Sequence, residues 1–283
     1  GAVEDDKLDT NVCAYLATGL WHHTLAGGQL DDVRELWPTV ERALGWVLAQ
    51  RRDDGMVLWA VEADGTRRWD YCLLTGTSSI AHALHCGARL GAELGSPRPA
   101  WAAVADELQT VIADDPGRFE PKDRWAMDWY YPVLTGAVTG AAGKERLADA
   151  WPTFVLDSSV PGSVAVGANV ESANGDATAV PGSDPSMDPT SRAANRWAEP
   201  GTAINGDLNG HPQPDAQRSQ APRLTTERLL GVRCVSDEPW VTASETAECA
   251  LAYNAIGETT IAADLLRTTR RHRLADGSYY TGI

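Results

Sequence analysis

Positive charge is what this sequence has least of. Lysine occurs only as Lys7, Lys122 and Lys144, and lysine and arginine together number 24 against 39 acidic residues, a net charge of −15. That balance argues against a nucleic-acid partner, because holding a polyanion requires a basic patch on the phosphates. The densest run of cations, Arg267, Arg270, Arg271 and Arg273, reads more simply as the basic end of one helix, where it complements the helix dipole. Long apolar runs are also missing. Nothing approaches the roughly 20 consecutive apolar residues of a membrane span, and residues 1–10 are charged instead of signal-like, so a cytoplasmic protein is expected. The five cysteines (Cys13, Cys72, Cys86, Cys234, Cys249) are odd in number, widely spaced and without a C-x-x-C pair. Neither a disulfide framework nor a zinc site is expected from them, and buried thiols are. Phenylalanine appears twice, against eleven tryptophans and seven tyrosines. Amphipathic aromatics in such excess suit a lined cavity better than a dry core, where their N–H and O–H groups would need partners.

What is present is helical periodicity. Apolar residues recur at three- and four-residue spacing over 11–25, then over 31–50, 78–94 and 100–112, with Gly-Ser-Pro-Arg-Pro at 95–99 breaking the last two apart. A short hairpin is expected at 56–68, reversed at Asp64-Gly65. Residues 125–131 read as an aromatic loop, followed by helices at 133–142 and 144–151, and a last pair falls at 242–256 and 259–273. Helix, short loop, helix, longer aromatic loop repeats about four times, the mark of a helical-hairpin repeat. The stretch 157–225, rich in Gly, Ala, Ser, Pro, Asn and Asp, is expected to be a largely disordered insertion. The division predicted is therefore 1–156, first part of the helical domain; 157–225, insertion; and 226–283, second part.

Several strings carry a family likeness. They are Asp9-Thr10-Asn11, Trp21-His22-His23, Trp37-Pro38, Gly76-Thr77-Ser78-Ser79, Asp128-Trp129-Tyr130-Tyr131-Pro132, Gly231-Val232-Arg233-Cys234-Val235, Pro239-Trp240-Val241-Thr242 and Asp276-Gly277-Ser278-Tyr279-Tyr280-Thr281-Gly282. They resemble a bacterial prenyltransferase-like group, itself similar to six-hairpin glycosidases and to the toroid of terpenoid cyclases and protein prenyltransferases. The resemblance implies an all-α fold, an (α/α) toroid of helical hairpins. About four of six hairpins are counted, so the toroid is expected to be incomplete. Both chain ends look premature against group members, which continue into a Trp-Pro-Glu loop and a final helix.

Within that frame, a carbohydrate-active protein of six-hairpin glycosidase type is expected, with an oligosaccharide or other small-molecule ligand. The alternatives are an isoprenoid-binding toroid and a non-catalytic carbohydrate binder. Glycoside hydrolysis uses two carboxyls, and Asp128, set among aromatics, and Glu245, in the first turn of a helix, are the candidate pair. They are expected at one rim of the cavity, about 6.5 to 9.5 Å apart if the enzyme inverts. Each has a structural competitor: Asp128 as a helix cap, and Thr242-x-x-Glu245 as a capping box. Substrate contacts are expected from Asp9, Asn11, Trp21, His22, Trp59, Trp129, Tyr130, Arg233, Trp240, Glu248, Tyr279 and Tyr280, about half of the aromatics serving ordinary packing instead. Asp5-Asp6-Lys7-Leu8-Asp9 matches a magnesium-diphosphate pattern. It lies at the chain start and not on a helix, and no zinc set like that of protein prenyltransferases exists, so no metal and no cofactor are expected.

Overall fold

The computed structural model describes residues 7–158 and 229–282, which pack as one compact unit. The chain is mostly helical, with only two small sheets among the described residues. Four antiparallel hairpins carry it: α1 (Thr10–Leu25) with α2 (Leu30–Ala49), α3 (Leu74–Glu93) with α4 (Pro99–Asp114), α5 (Ala126–Leu134) with α6 (Gly140–Asp149), and α8 (Ala243–Ala255) with α9 (Thr259–Thr269). The first members, α1, α3, α5 and α8, pack side by side in one row, and each is backed by its own partner. This is the all-α arrangement expected of an incomplete toroid of helical hairpins. A one-turn helix α7 (Trp151–Phe154) and strand β3 (Val155–Asp157) follow α6, and β3 pairs with β4 (Leu230–Val232). Asp157, placed by composition in the insertion, is the last residue of β3 and pairs with Leu230; the rest of 157–225, apart from Ser158, lies outside the described residues.

Amphipathic spacing explains the packing. In α2, Val33, Trp37, Val40, Leu44 and Val47 fall on one buried stripe. They meet Ile80, Leu84 and Leu90 of α3 and Leu108 and Ile112 of α4 in a first core. A second core gathers Tyr130, Val133, Leu147, Leu230, Cys249 and Leu265 around α5, α8 and α9. No helix among the described residues is long and apolar enough to cross a membrane.

The row helices all start at one end. Each is entered from an extended segment and leaves through a short connector into its antiparallel partner, so their N-terminal turns lie together. Those entries are tied to one another. Strand β1 (Lys7–Asp9) pairs antiparallel with β2 (Ala60–Glu62), and the Thr10 hydroxyl lies 2.7 and 2.9 Å from the carbonyl oxygens of Leu58 and Trp59. Ala126 N–H donates to Cys234 O at 3.0 Å, and Thr242 N–H to Val232 O at 3.1 Å.

The third hairpin departs from the reading of 125–131 as a loop and 133–142 as a helix. The aromatic string is itself α5, and 135–139 is the turn, with Gly136 at φ 82°, a left-handed conformation that stops the helix without strain. Pro132 sits inside α5, which by itself would orphan the carbonyl of Asp128, four residues earlier. Arg146 on α6 supplies the missing donors, with Nη2 to Asp128 O at 2.7 Å and Nε to Trp129 O at 2.8 Å. A side chain from the partner helix thus completes the ladder that proline interrupts.

Candidate functional site

One polar network runs across the whole row of inner helices. It begins where α3 and α5 start, with the Thr75 hydroxyl donating to Asp128 Oδ1 at 2.5 Å and the Thr75 N–H to the same oxygen at 3.3 Å. One turn along α3, Ser79 Oγ donates back to Thr75 O at 3.0 Å. Ser79 Oγ also lies 3.1 Å from Tyr15 OH on α1, and Tyr15 OH lies 3.2 Å from Tyr131 OH on α5. Tyr131 OH reaches Glu248 Oε1 on α8 at 3.1 Å, and Tyr130 OH reaches Glu248 Oε2 at 2.6 Å. Tyr15 is 39% exposed, so the network opens to solvent at α1 while Tyr130 is wholly buried.

The electrostatics of the network centre on Glu248 and Asp128. Burial pushes the Glu248 carboxyl above the usual glutamate range, and the charge of nearby Glu245 adds to this against the stabilising tyrosine hydroxyls. Burial likewise raises Asp128, opposed by its two bonds from Thr75 and by the Arg146 charge. Tyr130 and Tyr131 are pushed up, first by burial and then by Glu248, so both stay protonated donors.

Proton counting singles out one member. The links Thr75 O–Ser79, Ser79–Tyr15, Tyr15–Tyr131, Tyr131–Glu248 and Tyr130–Glu248 make five contacts. The hydroxyls of Ser79, Tyr15, Tyr131 and Tyr130 bring four hydrogens, one each. With Glu248 ionised, one contact therefore joins two acceptors. With Glu248 protonated at Oε1, its hydrogen goes to Tyr131, that of Tyr131 to Tyr15, and that of Tyr15 to Ser79, so every contact carries one hydrogen.

Glu245 lies close by and is buried, its Oε2 held by Thr242 Oγ1 and, at 2.6 Å, by Ser244 Oγ. The reciprocal capping box does not form. The Thr242 hydroxyl bonds the Glu245 carboxylate, its own N–H goes to Val232 O, and the helix start has no side-chain cap. Asp128, whose side chain is turned to Thr75, lies in the wall of a cleft of about 660 Å³ between the second and third hairpins, with Trp125, Trp129, Arg146, Glu145 and Asp149.

The remaining sequence candidates divide between packing and surface. Asn11 is half-buried, with Oδ1 out of contact with water and lacking a hydrogen-bond partner. Asp9 N-caps α1 by position, without a side-chain cap bond, and its carboxylate is 3.7 Å from Lys7 Nζ. Trp59 is buried against Tyr71, ring centres 5.4 Å apart, and Trp129 stacks on Phe154 at 5.6 Å while donating Nε1–H to Arg146 O. Trp21 is half-buried under the Arg89 guanidinium at 5.6 Å. Arg233 donates to Thr153 O, a backbone partner where a carboxylate was an option. Trp240 is half-buried, and Tyr279 and Tyr280 are exposed.

One grouping joins residues from two helices outside the network. His22 on α1, His82 and Cys86 on α3 bring two imidazoles and a thiol together, with ligand atoms within 4.8 Å of one another. His82 and Cys86 are four residues apart on one helix face, a spacing visible in the sequence; His22 is sixty residues away. Burial, followed by His22, His85 and Arg89, lowers the pKa of His82 and keeps its ring neutral.

No protein-family model matches the chain. The chain is similar to MMP endo-(1,4)-3-O-methyl-alpha-D-mannosidase of Mycolicibacterium hassiacum, 33% identical over 283 residues. That alignment takes in all of this chain and 58% of the relative's length, so the chain spans little more than half of the protein it matches.

Proposed function

We propose, from that likeness and from the network, that the chain carries the acid–base site of a glycoside hydrolase acting on an α-linked mannose oligosaccharide, of the O-methylated kind that the relative's name describes. The observation that carries the reading is the Glu248 carboxyl, held by the Tyr130 and Tyr131 hydroxyls and raised by its burial above the usual glutamate range. A glycosidase needs one such carboxylic acid to protonate the leaving oxygen and one carboxylate to activate water or attack the sugar. Glu248 takes the first part. Asp128, held by the Thr75 hydroxyl and amide, takes the second. Glu245, paired with Asp128 by its position in the sequence, works through Glu248, its charge keeping the neighbouring proton in place. Trp125, in the wall of the cleft beside Asp128, offers an apolar face to a sugar whose O-methyl groups lack hydroxyl donors.

The test is release of reducing ends from a 3-O-methylmannose oligosaccharide, with the anomer of the fresh product read by NMR. The wild-type chain should cleave internally, and Asp128→Asn should lower kcat by about 10²-fold or more, the range lost with a general acid or base. An inverted product fits carboxyls wide enough apart to admit a water. Oligosaccharide bound but never cleaved by the wild-type chain would overturn hydrolysis and leave recognition as the function.

A further inference from the structure

The seam between α1 and α3 is polar along its length. On α3, Thr75, Ser79, His82 and Cys86 follow one another at helical spacing, and on α1, Tyr15 and His22 do the same. Tyr15 meets Ser79 in the network described above, and His22 meets His82 seven residues further along α1, a rise of about 10 Å. The second meeting point is thus set apart from the carboxylates, toward the C-terminal end of the row.

Two of its three ligand-atom separations match a coordination shell, and all three lie within 4.8 Å. His22 Nε2 and His82 Nε2 are 3.4 Å apart, and His82 Nε2 and Cys86 Sγ are 3.5 Å apart. Nitrogens about 2.05 Å and a sulfur about 2.3 Å from one tetrahedral zinc would stand about 3.4 Å (N to N) and about 3.6 Å (N to S) from each other. The two rings are tilted by 32° with centres 5.8 Å apart, so neither is stacked flat against the other and both turn an edge nitrogen to the same point. The Thr18 side chain lies within hydrogen-bonding reach of the Cys86 thiol, and the other neighbours point elsewhere. His85 is directed at Asp106, 3.3 Å away, and Arg89 lies over the Trp21 ring. His22 is exposed and Cys86 buried, giving an ion a way in from solvent and a thiolate ligand shielded from it.

We propose that His22, His82 and Cys86 form a binding site for a zinc-class divalent ion, with water in the fourth position, and that the ion clips α1 to α3. Two imidazoles and one thiolate suit a borderline-soft ion and not magnesium or calcium, which take oxygen ligands. Binding releases the thiol proton, so affinity should rise with pH. The site does not depend on the hydrolase reading, and its test uses no activity.

The experiment is cobalt(II) titration of the chelator-treated full chain, followed by zinc displacement and thermal melting. One cobalt per chain is expected, with visible bands of tetrahedral intensity and a near-ultraviolet thiolate charge-transfer band, all removed by zinc. Zinc should raise the Tm of the wild type. Cys86→Ser should lose the charge-transfer band, and His22→Gln should weaken binding by roughly 100-fold or more, since losing a ligand exceeds the 10- to 100-fold lost with an outer partner. His22 is on the surface, so its variant tests the site even where replacing buried Cys86 harms folding. Substoichiometric uptake, or equal affinity in wild type and His22→Gln, would overturn the proposal.

Discussion

Glu248→Gln should lower kcat by about 10²- to 10⁴-fold, the span attributable to a positioned proton donor, and should leave the protein at least as stable at neutral pH. Glutamine keeps the shape of the side chain and can accept from Tyr130 and donate to Tyr131, so the links along α5 and α8 survive. What disappears is the transferable hydrogen. The native Glu248 carboxyl holds its proton above the ordinary glutamate range, whereas the unfolded chain releases it within that range. In the window between, the native state binds more protons than the unfolded state, so wild-type stability falls as pH rises through it and levels off above. The variant lacks that dependence at this position. Its melting temperature should equal or exceed that of the wild type above the window, while the alkaline fall in wild-type kcat/KM, caused by deprotonation of the donor, should be missing from its residual activity. Full activity in Glu248→Gln would remove Glu248 from the chemistry, and a cooperative loss of fold would make it structural.

The second large effect is on stability and concerns a pair of residues. Leu44 of α2 is fully buried, and a Cβ placed on Gly87 of α3 would stand 2.5 Å from Leu44 Cδ1 and 3.0 Å from Trp101 Cε3. Only glycine allows that approach. Leu44→Ala should therefore cost about 2 to 5 kcal/mol through lost burial and the cavity left behind. Gly87→Ala should cost about 1 to 3 kcal/mol through overpacking. Combined, the methyl added at position 87 enters the space vacated at 44, and the double variant should be more stable than the sum predicts by about 0.5 to 3 kcal/mol. Urea denaturation with unchanged slopes measures all three. Strict additivity would mean that the two side chains do not share that volume.

The helices that spacing alone located are those whose apolar stripe is uninterrupted. Both members of the α3–α4 pair and of the α8–α9 pair lie within a few residues of their expected limits, because buried residues repeat at helical intervals between clear breakers: Ile80, Ala83, Gly87 and Leu90 on α3, Trp101, Ala105, Leu108 and Ile112 on α4, Thr246, Cys249 and Tyr253 on α8, and Ala262, Leu265 and Thr268 on α9. The third hairpin escapes that pattern for a physical reason. Proline inside 126–134 reads as a break, and the guanidinium that compensates comes from Arg146, on another helix.

The candidate site was legible as residue types and not as partnerships. Tyr130 and Glu248 were both picked out from the sequence, but the bond between them spans 118 positions, and no local pattern encodes it. The Thr242-x-x-Glu245 pattern was present, yet the loop before α8 pairs Thr242 N–H with Val232, and the box gives way to a direct hydroxyl–carboxylate bond. His82 and Cys86 share a helix face, so two of the three proposed metal ligands are readable from their spacing. Tyr15 and His22, which complete the two clusters, are brought to them by the packing of α1 on α3.

The pairing of β3 with β4 bears on how the chain can be edited. Ser158 N–H donates to Leu229 O at 3.0 Å, and Leu229 N–H to Ser158 Oγ at 2.8 Å, so two positions 71 residues apart sit side by side at the end of the described ladder. Strand ends in that relation are what a two-residue reverse turn joins in an ordinary hairpin. The helical frame therefore offers a seam at which sequence of any length can be let in or taken out with the same two anchor points. A shortened gene joining 158 to 229 through Asn-Gly asks of the frame only a connection that its own geometry already accepts.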